Sequence, residues 1–445
     1  MRMIELVFFS PVFMQIKPSG PSKVLLLRLI ILCCSLATAV AQPQPNWPAW
    51  RGPHDNGSAE PGTYPSDLNA GNALWKADLP GKGCSTPIIW NKEIFLTAPT
   101  NNLDAAFAFD WNGKPRWVTA FGAQSPGAHR NGSGSNPSAV TDGKGLFVRF
   151  KSGTLAGLDL DGNVRWQTNL ISAFGPENLY WDQGTSPVLT GTDVIVARMH
   201  GGDSWLAAFD KLTGGLHWKV ARNFETPVEG DHAYDTPLLI QEHGRQSVLV
   251  WGAQHLTSHD IATGKMLWSC DDFNPQAVPN WPAVASPVVC GDIAIVACGR
   301  ADRGQPRLYG IKLGGAGDVT VTHRAWKRED TGTFVPTPAV ADGELYILRD
   351  RGELECLDPA SGETRWKDAF PKSSHNFYAS PLIAGDKLYA AREDGVVFVA
   401  SIQPKFELLS ENKLGEQLIA SPVAVANRLF LRGEHHLFCF ASGSN

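Results

Sequence analysis

Short apolar runs recur along the chain from residue 73 onward, and those that flank a turn alternate with period two. Leu206-Ala-Ala-Phe-Asp leads into a turn and His217-Trp-Lys-Val leaves it. Period two places successive side chains on opposite faces of a strand. The runs are punctuated by one phrase, a proline preceded by Ser, Thr or Asn. It falls at Pro87, Pro137, Pro187, Pro237, Pro287, Pro338, Pro381 and Pro422, written STPII, SNPSA, TSPVL, DTPLL, ASPVV, PTPAV, ASPLI and ASPVA. A fixed period of 40–50 residues marks a stacked or circular array.

A second phrase accompanies the first. Trp117, Trp166, Trp218, Trp268, Trp326 and Trp366 each follow a blade proline by about thirty residues, most of them behind a short turn such as Asp260-Ile-Ala-Thr-Gly-Lys-Met-Leu-Trp268. The Asp bonds its own backbone two residues on, and the Gly accepts positive φ, so the pair suits a tight hairpin. Each unit then reads as four strands. Pro287-Val-Val-Cys starts one, Ile293-Ala-Ile-Val-Ala and Leu308-Tyr-Gly-Ile-Lys continue it, and the Trp sits on the fourth. A proline at the start of a strand keeps its missing N–H out of the ladder.

Four strands per unit predict an all-β, eight-bladed β-propeller. A solenoid is the rival, and the termini decide for a ring. After Pro422 only Val423–Val425, Arg428–Leu431 and Leu437–Phe440 remain, with no Trp behind them. The missing strand stands at the other end, as Ala73-Leu-Trp75-Lys-Ala. Pairing it with the last blade closes the circle and removes an open edge. The seven tryptophans, Trp75 included, are expected to dock between blades. Two units depart. Leu408 and Leu409 replace the Trp of the seventh, whose turn reads Ile402-Gln-Pro-Lys-Phe, and the fifth carries Gly314-Gly-Ala-Gly-Asp in its turn. Both read as tolerated hairpin variation.

Composition agrees with a turn-rich β fold: 44 Gly and 31 Pro in 445 residues, with 43% hydrophobic residues. The chain divides into a signal peptide over 1–41, an extension over 42–72 and the propeller over 73–445. Lys17 and Lys23 precede an apolar stretch, Val24–Val40, broken by Arg28, and Ala39-Val-Ala41 offers small residues for cleavage. The apolar run after Arg28 is too short to span a bilayer. The expectation is export to the periplasm or beyond, with no transmembrane segment after cleavage. Removing the signal's net +3 takes the formal charge from −5 to −8, which disfavours nucleic acid. Six cysteines then remain, Cys84, Cys270, Cys290, Cys298, Cys356 and Cys439. Their scatter fits free thiols better than a disulfide framework.

The Ser-Pro openings and Asp-x-x-Thr-Gly-x-x-x-Trp endings resemble pyrroloquinoline-quinone-type (PQQ-like) propeller repeats. These occur in quinoprotein alcohol dehydrogenases and in the outer-membrane β-barrel assembly lipoprotein of Gram-negative bacteria. Trp47-Pro-Ala-Trp50-Arg-Gly-Pro-His-Asp-Asn-Gly57 is similar to the opening of a Planctomycetes-type exported subgroup. The resemblance implies that each repeat Trp fastens neighbouring blades. In the dehydrogenases it implies a quinone stacked between a Trp and a ring of two adjacent disulfide-bonded cysteines, with calcium held by Glu, Asn and Asp and an Asp as base. The one adjacent pair here, Cys33-Cys34, lies in the signal. No catalytic residue, cofactor or metal is therefore assigned. Asp159-Leu-Asp161-Gly-Asn163 lacks the Gly and Glu of a calcium loop and reads as a blade turn. Nor does a G-x-S-x-G, H-E-x-x-H or phosphate-binding loop occur.

One pattern is less expected. Arg149, Arg198, Arg300, Arg349, Arg392 and Arg432 stand near the end of the second strand in six blades. On one rim they would form a ring of guanidinium groups suited to carboxylate or phosphate. Alternatively each pairs locally with Asp203, Asp302, Asp350, Glu393 or Glu434. The loops leading into the inner strands add His129, Arg130, Trp181, Asp182, His232, Tyr234, Trp281, His375 and Tyr378, as packing or as a contact surface. The functional expectation is a non-catalytic scaffold or binding protein, in envelope assembly, with a protein partner or anionic ligand at the funnel face. A quinone-dependent dehydrogenase and a carbohydrate- or polymer-binding module are the alternatives.

Overall fold

The computed structural model describes residues 45–442; the signal expected over 1–41 lies outside them. Eight sheets follow one another around a central axis; the four strands of each blade are antiparallel, and in the first seven blades they run in chain order from the inside outward. Blade one runs from Ile88–Trp90 to Pro115–Ala123, blade three from Val188–Leu189 to Leu216–Ala221, and blade seven from Leu382–Ala384 to Glu407–Lys413. Blade eight takes Val423–Val425, Arg428–Arg432 and His436–Ala441 from the C-terminal end, and its outer strand is Trp75–Asp78. Trp75 pairs with Cys439 and Asp78 with His436, so the propeller is closed by the N-terminal strand. The middle strands are buried on both faces and carry Val, Ile, Leu, Phe and Ala, while outer strands alternate.

The residue at the start of each inner strand performs one task eight times. Thr86 N–H donates to the Ser138 hydroxyl at 2.9 Å, and Ser138 to Ser186 at 3.0 Å. Ser186 continues to Thr236, Thr236 to Ser286 and Ser286 to Thr337. Thr337 donates to Ser380, Ser380 to Ser421, and Ser421 returns to Thr86 at 3.3 Å. All eight residues are buried. The following proline presents no competing donor, and the hydroxyl serves as both packing group and acceptor. In blade two the repeat register shifts by one. Ser138 holds the ring position, so Pro137 precedes it and Ala139 stands where other blades have proline.

The tryptophans form a second circuit at the periphery. Trp75, Trp117, Trp166, Trp218 and Trp326 each donate the indole N–H to a carbonyl in the next blade's hairpin: Trp111, Leu160, Lys211, Ile261 and Pro359, at 2.9–3.0 Å. Each acceptor is the residue after the turn's Asp. The turn glycine lies beneath the ring. At Gly264, φ is +71° and a Cβ would fall 2.5 Å from the Trp218 ring. Each Trp also lies opposite a small residue of its own third strand, such as Ala208 for Trp218 and Cys439 for Trp75.

The two departing hairpins coincide with departures in the preceding tryptophans. Trp268 faces blade five, where the insertion replaces the turn. Gly317–Asp318 pairs in parallel with blade four as a fifth strand, and fully buried Trp268 bonds Glu242 of its own blade at 2.8 Å. Trp366 faces the altered turn of blade seven and packs near Phe406. Blade seven has no Trp because its neighbour, blade eight, has no hairpin at that place: the two chain ends meet there.

Trp268→Ala should cost about 3–5 kcal/mol, the range for a buried large aromatic, and half-buried Trp218→Ala less. Gly264→Ala should destabilise by more than the ~1–2 kcal/mol of left-handed strain alone. In the Trp218→Ala background that excess should vanish, a coupling that urea titration of the double-mutant cycle reads. Removing residues 45–78 should lower the melting temperature sharply, because blade eight gains an open edge; an unchanged curve would contradict closure.

Candidate functional site

The connections between blades and the hairpins joining second to third strands lie on one face, because each antiparallel sheet has an inner strand running away from that face. A central cavity of about 820 Å³ is lined by residues of these connections. Hydroxyl-ring residues line it too, and Trp50 closes it on the far side.

Trp50 is placed by the lead-in, which crosses the opposite ends of the inner strands as a strap. Trp47 exchanges both backbone hydrogen bonds with Ile89 of blade one, and Pro48 accepts from Thr141 of blade two. Asn56 then accepts from Val340 of blade six, and Gly57 from Ile383 of blade seven. Between these anchors buried Arg51 donates to the carbonyls of Pro338 and Pro381, at 2.9 and 3.1 Å. Gly57, at φ +76°, leaves the room that guanidinium occupies, since a Cβ there would overlap it. The strap separates the main cavity from a second, largely apolar space of about 240 Å³ against blades two to four. The funnel is thus blind. Nothing in the spacing of the lead-in announces this; its pairing partners lie 42–330 residues away.

The mouth carries a fixed aromatic loop. Tyr180 is 67% and Trp181 42% exposed, and Val228 beside them 74%. Tyr180 N–H donates to the His232 ring and Trp181 N–H to the Tyr234 hydroxyl. Buried Asp182 accepts from Ala128 N–H, His129 N–H and the Lys151 ammonium, at 2.7, 3.0 and 2.6 Å. His129 stands edge-on to Trp181, with centroids 5.0 Å apart, and Tyr378 follows at 6.2 Å from His129. The His129 loop leans across the mouth, where Arg130 and Asn131 reach Glu393 of blade seven. Burial and the neighbouring Arg130 cation lower the His129 pKa.

The arginines do not form the single ring facing the funnel. Arg149 is buried and bonds the carbonyls of Thr185 and Ala197 in blade three. Arg432, also buried, reaches Ser85 of blade one at 2.7 Å. Both clamp the residue just before a ring hydroxyl of the next blade. Arg198 bonds the carbonyls of Phe174 and Gly175 and lies over Trp205. Arg300 and Arg392 pair with Asp302 and Asp394, through two hydrogen bonds each. Arg349 is half-buried. Of the six, Arg300 lines the cavity. The physical reason is position: a long side chain at a second-strand end reaches a nearby backbone carbonyl or an aspartate of its own hairpin before it reaches the axis. Trp181 lines the mouth, whereas Trp281 is buried in the wall beneath Arg307.

The residues do not fit a quinone with its calcium. The six cysteines of the described residues are unpaired, and of these Cys84 lines the cavity, its thiol pushed by burial to about 11. Three of the cavity carboxylates are committed, Asp182 as above, Asp302 to Arg300, and Asp350 to the N–H groups of Phe334 and Val335, and the fourth, Glu229, stands at the mouth. Among the described residues no group of three His, Cys, Asp or Glu could hold a metal ion. No helix of the described residues is long and apolar enough to cross a membrane.

The chain matches the family model described as outer membrane protein assembly factor BamB, over residues 57–202, 178–321 and 316–404. No curated protein matches it by sequence. Among solved structures, BamB from Moraxella catarrhalis is similar with a TM-score of 0.58 and 15% identity, covering 84% of this chain and 98% of that one. Quinohemoprotein alcohol dehydrogenase from Comamonas testosteroni is similar with a TM-score of 0.66 and 13% identity, over 91% and 82%. A europium-containing methanol dehydrogenase gives 0.63 and 11%, over 90% and 99%. At such identities the likeness is one of fold.

Burial pushes Asp350 from 3.8 up to about 6 against the pull of its two backbone donors. A carboxyl raised in the folded state favours folding while protonated, so this contribution is present below pH ~4 and lost as pH rises through ~6. Asp350→Asn removes the titration but keeps an acceptor for one of the two N–H groups, since Phe334 and Val335 bond different carboxylate oxygens. Whatever that lost bond costs at both pH values, the stability of the variant relative to the wild type should rise by about 1–2 kcal/mol from pH 4 to pH 8, measured by urea unfolding at the two pH values.

Proposed function

The chain belongs to the family described as outer membrane protein assembly factor BamB, and we propose that it is an exported, non-catalytic binding scaffold that meets a protein partner on its loop face, in the assembly of envelope proteins. The observation that carries this reading is the rim at Tyr180 and Val228. Large apolar side chains stand exposed there on loops whose backbone is already hydrogen-bonded to His232 and Tyr234. Exposed apolar groups rimmed by polar ones mark interaction sites, and an anchor held rigid before binding loses little entropy on contact. The committed carboxylates and unpaired cysteines support the non-catalytic part.

A photo-crosslinking residue at position 180 should give a discrete adduct with an envelope protein in cells. The same residue at position 212, an exposed leucine in a hairpin of the opposite face, should not. Val228→Asp should reduce the adduct by about tenfold or more, as expected when a hot-spot contact is lost. Equal adducts from both faces, or none from position 180, would overturn the reading. A quinone absorbance that survives desalting after addition of pyrroloquinoline quinone and calcium would overturn its non-catalytic part.

A further inference from the structure

Below the rim, the funnel has a chemistry that the partner reading does not use. Its charges nearly cancel. Asp182 faces Lys151, Asp302 faces Arg300, and Asp350 is held by backbone donors. Glu229 and Arg303 line the mouth with opposite signs, and neither forms a side-chain ion pair among the described residues. A cavity of nearly balanced charge gives an anion no Coulombic advantage and a cation little.

What remains is neutral and two-sided. Rings of Trp181, His129 and Tyr378 follow one another along the mouth. Asn280 and Asn376 line the same space and make no side-chain hydrogen bond among the described residues, and the Asn376 Oδ1 is buried without a partner. Asn136 spends its Oδ1 on Ser133, which leaves its NH₂ to the cavity. An amide both donates and accepts, so it matches a hydroxyl in either sense. An indole matches the C–H face of a pyranose ring and excludes water from it. Free amides beside half-exposed rings, in a blind funnel of about 820 Å³ with little net charge, are the complement of a polyhydroxylic ligand. The volume lies in the range of ordinary small-molecule sites.

We infer that the funnel is a binding site for a neutral glycan, with Trp181 as its stacking platform and Asn280 and Asn376 as its hydroxyl partners. This goes beyond the partner reading and is tested without a partner. The purified protein is titrated with cello-, malto-, chito- and xylo-oligosaccharides by calorimetry and by intrinsic tryptophan emission. At least one should bind saturably, shift the emission and be insensitive to added salt. Trp181→Ala and Asn376→Ala should each weaken that binding about tenfold or more, equivalent to ~1.4 kcal/mol, with unchanged melting temperatures. No heat and no emission change with any neutral sugar would overturn the proposal. So would binding that survives Trp181→Ala, or salt-sensitive binding of polygalacturonate alone, which would mark an anion site. Failure here would leave the crosslinks from position 180 standing, and the two readings fail separately.

Discussion

Eight hydrogen bonds, each from a backbone N–H of one blade to a Ser or Thr hydroxyl of the next, hold the axis of this molecule. A sheet cannot bond its neighbour edge to edge in a propeller, because the blades are radial and their ladders point along the radius. The inner strand must still satisfy buried polar groups. A short hydroxyl-bearing side chain meets this need from within the strand, and the bonds close on themselves only when the last blade meets the first. An unmade bond would leave a buried N–H without a partner, at a cost of about 1–3 kcal/mol. The ring therefore depends on closure, and closure depends on Trp75–Asp78 completing blade eight.

The outer circuit follows the same logic with different chemistry. A tryptophan bridges to the next blade only if that blade presents an Asp-initiated turn with a carbonyl at the following residue and no Cβ beneath the ring. Where the turn changes, the tryptophan changes its task, as at Trp268, or packs on another ring, as at Trp366. Where the turn is missing, no tryptophan is found. Apparent defects of the repeat are thus local consequences of which surface stands opposite.

With both circuits spoken for, the loops are free to vary, and the cavity takes its character from them. The strap makes the cavity blind through Arg51, which joins blades six and seven by their proline carbonyls. The arginines near the second-strand ends belong to the framework in at least two blades, since Arg149 and Arg432 hold the neighbouring inner strand. What faces the ligand space is instead an aromatic and amide surface of little net charge. Electrostatic steering is weak in such a funnel, and shape and hydrogen bonding have to supply selectivity.

Fold class, blade count and closure were legible in the chain because they rest on local rules repeated eight times: proline and hydroxyl at a strand start, Asp and Gly in a hairpin, tryptophan behind it. The missing strand behind Leu437–Phe440 and the orphan strand at Trp75 could be matched by subtraction alone. Tertiary structure decided what repetition does not encode. The one-residue shift to Ser138 appears only when the hydroxyl ring is closed. The lead-in becomes a strap through bonds to Ile89, Thr141, Val340 and Ile383, residues with no local relation to it. Equal offsets made six arginines look alike, but Arg300 and Arg392 take an aspartate two residues on, whereas Arg149 and Arg432 cross to the neighbouring blade. Which carbonyl stands across is set by packing between blades, and the period of the chain carries no record of it.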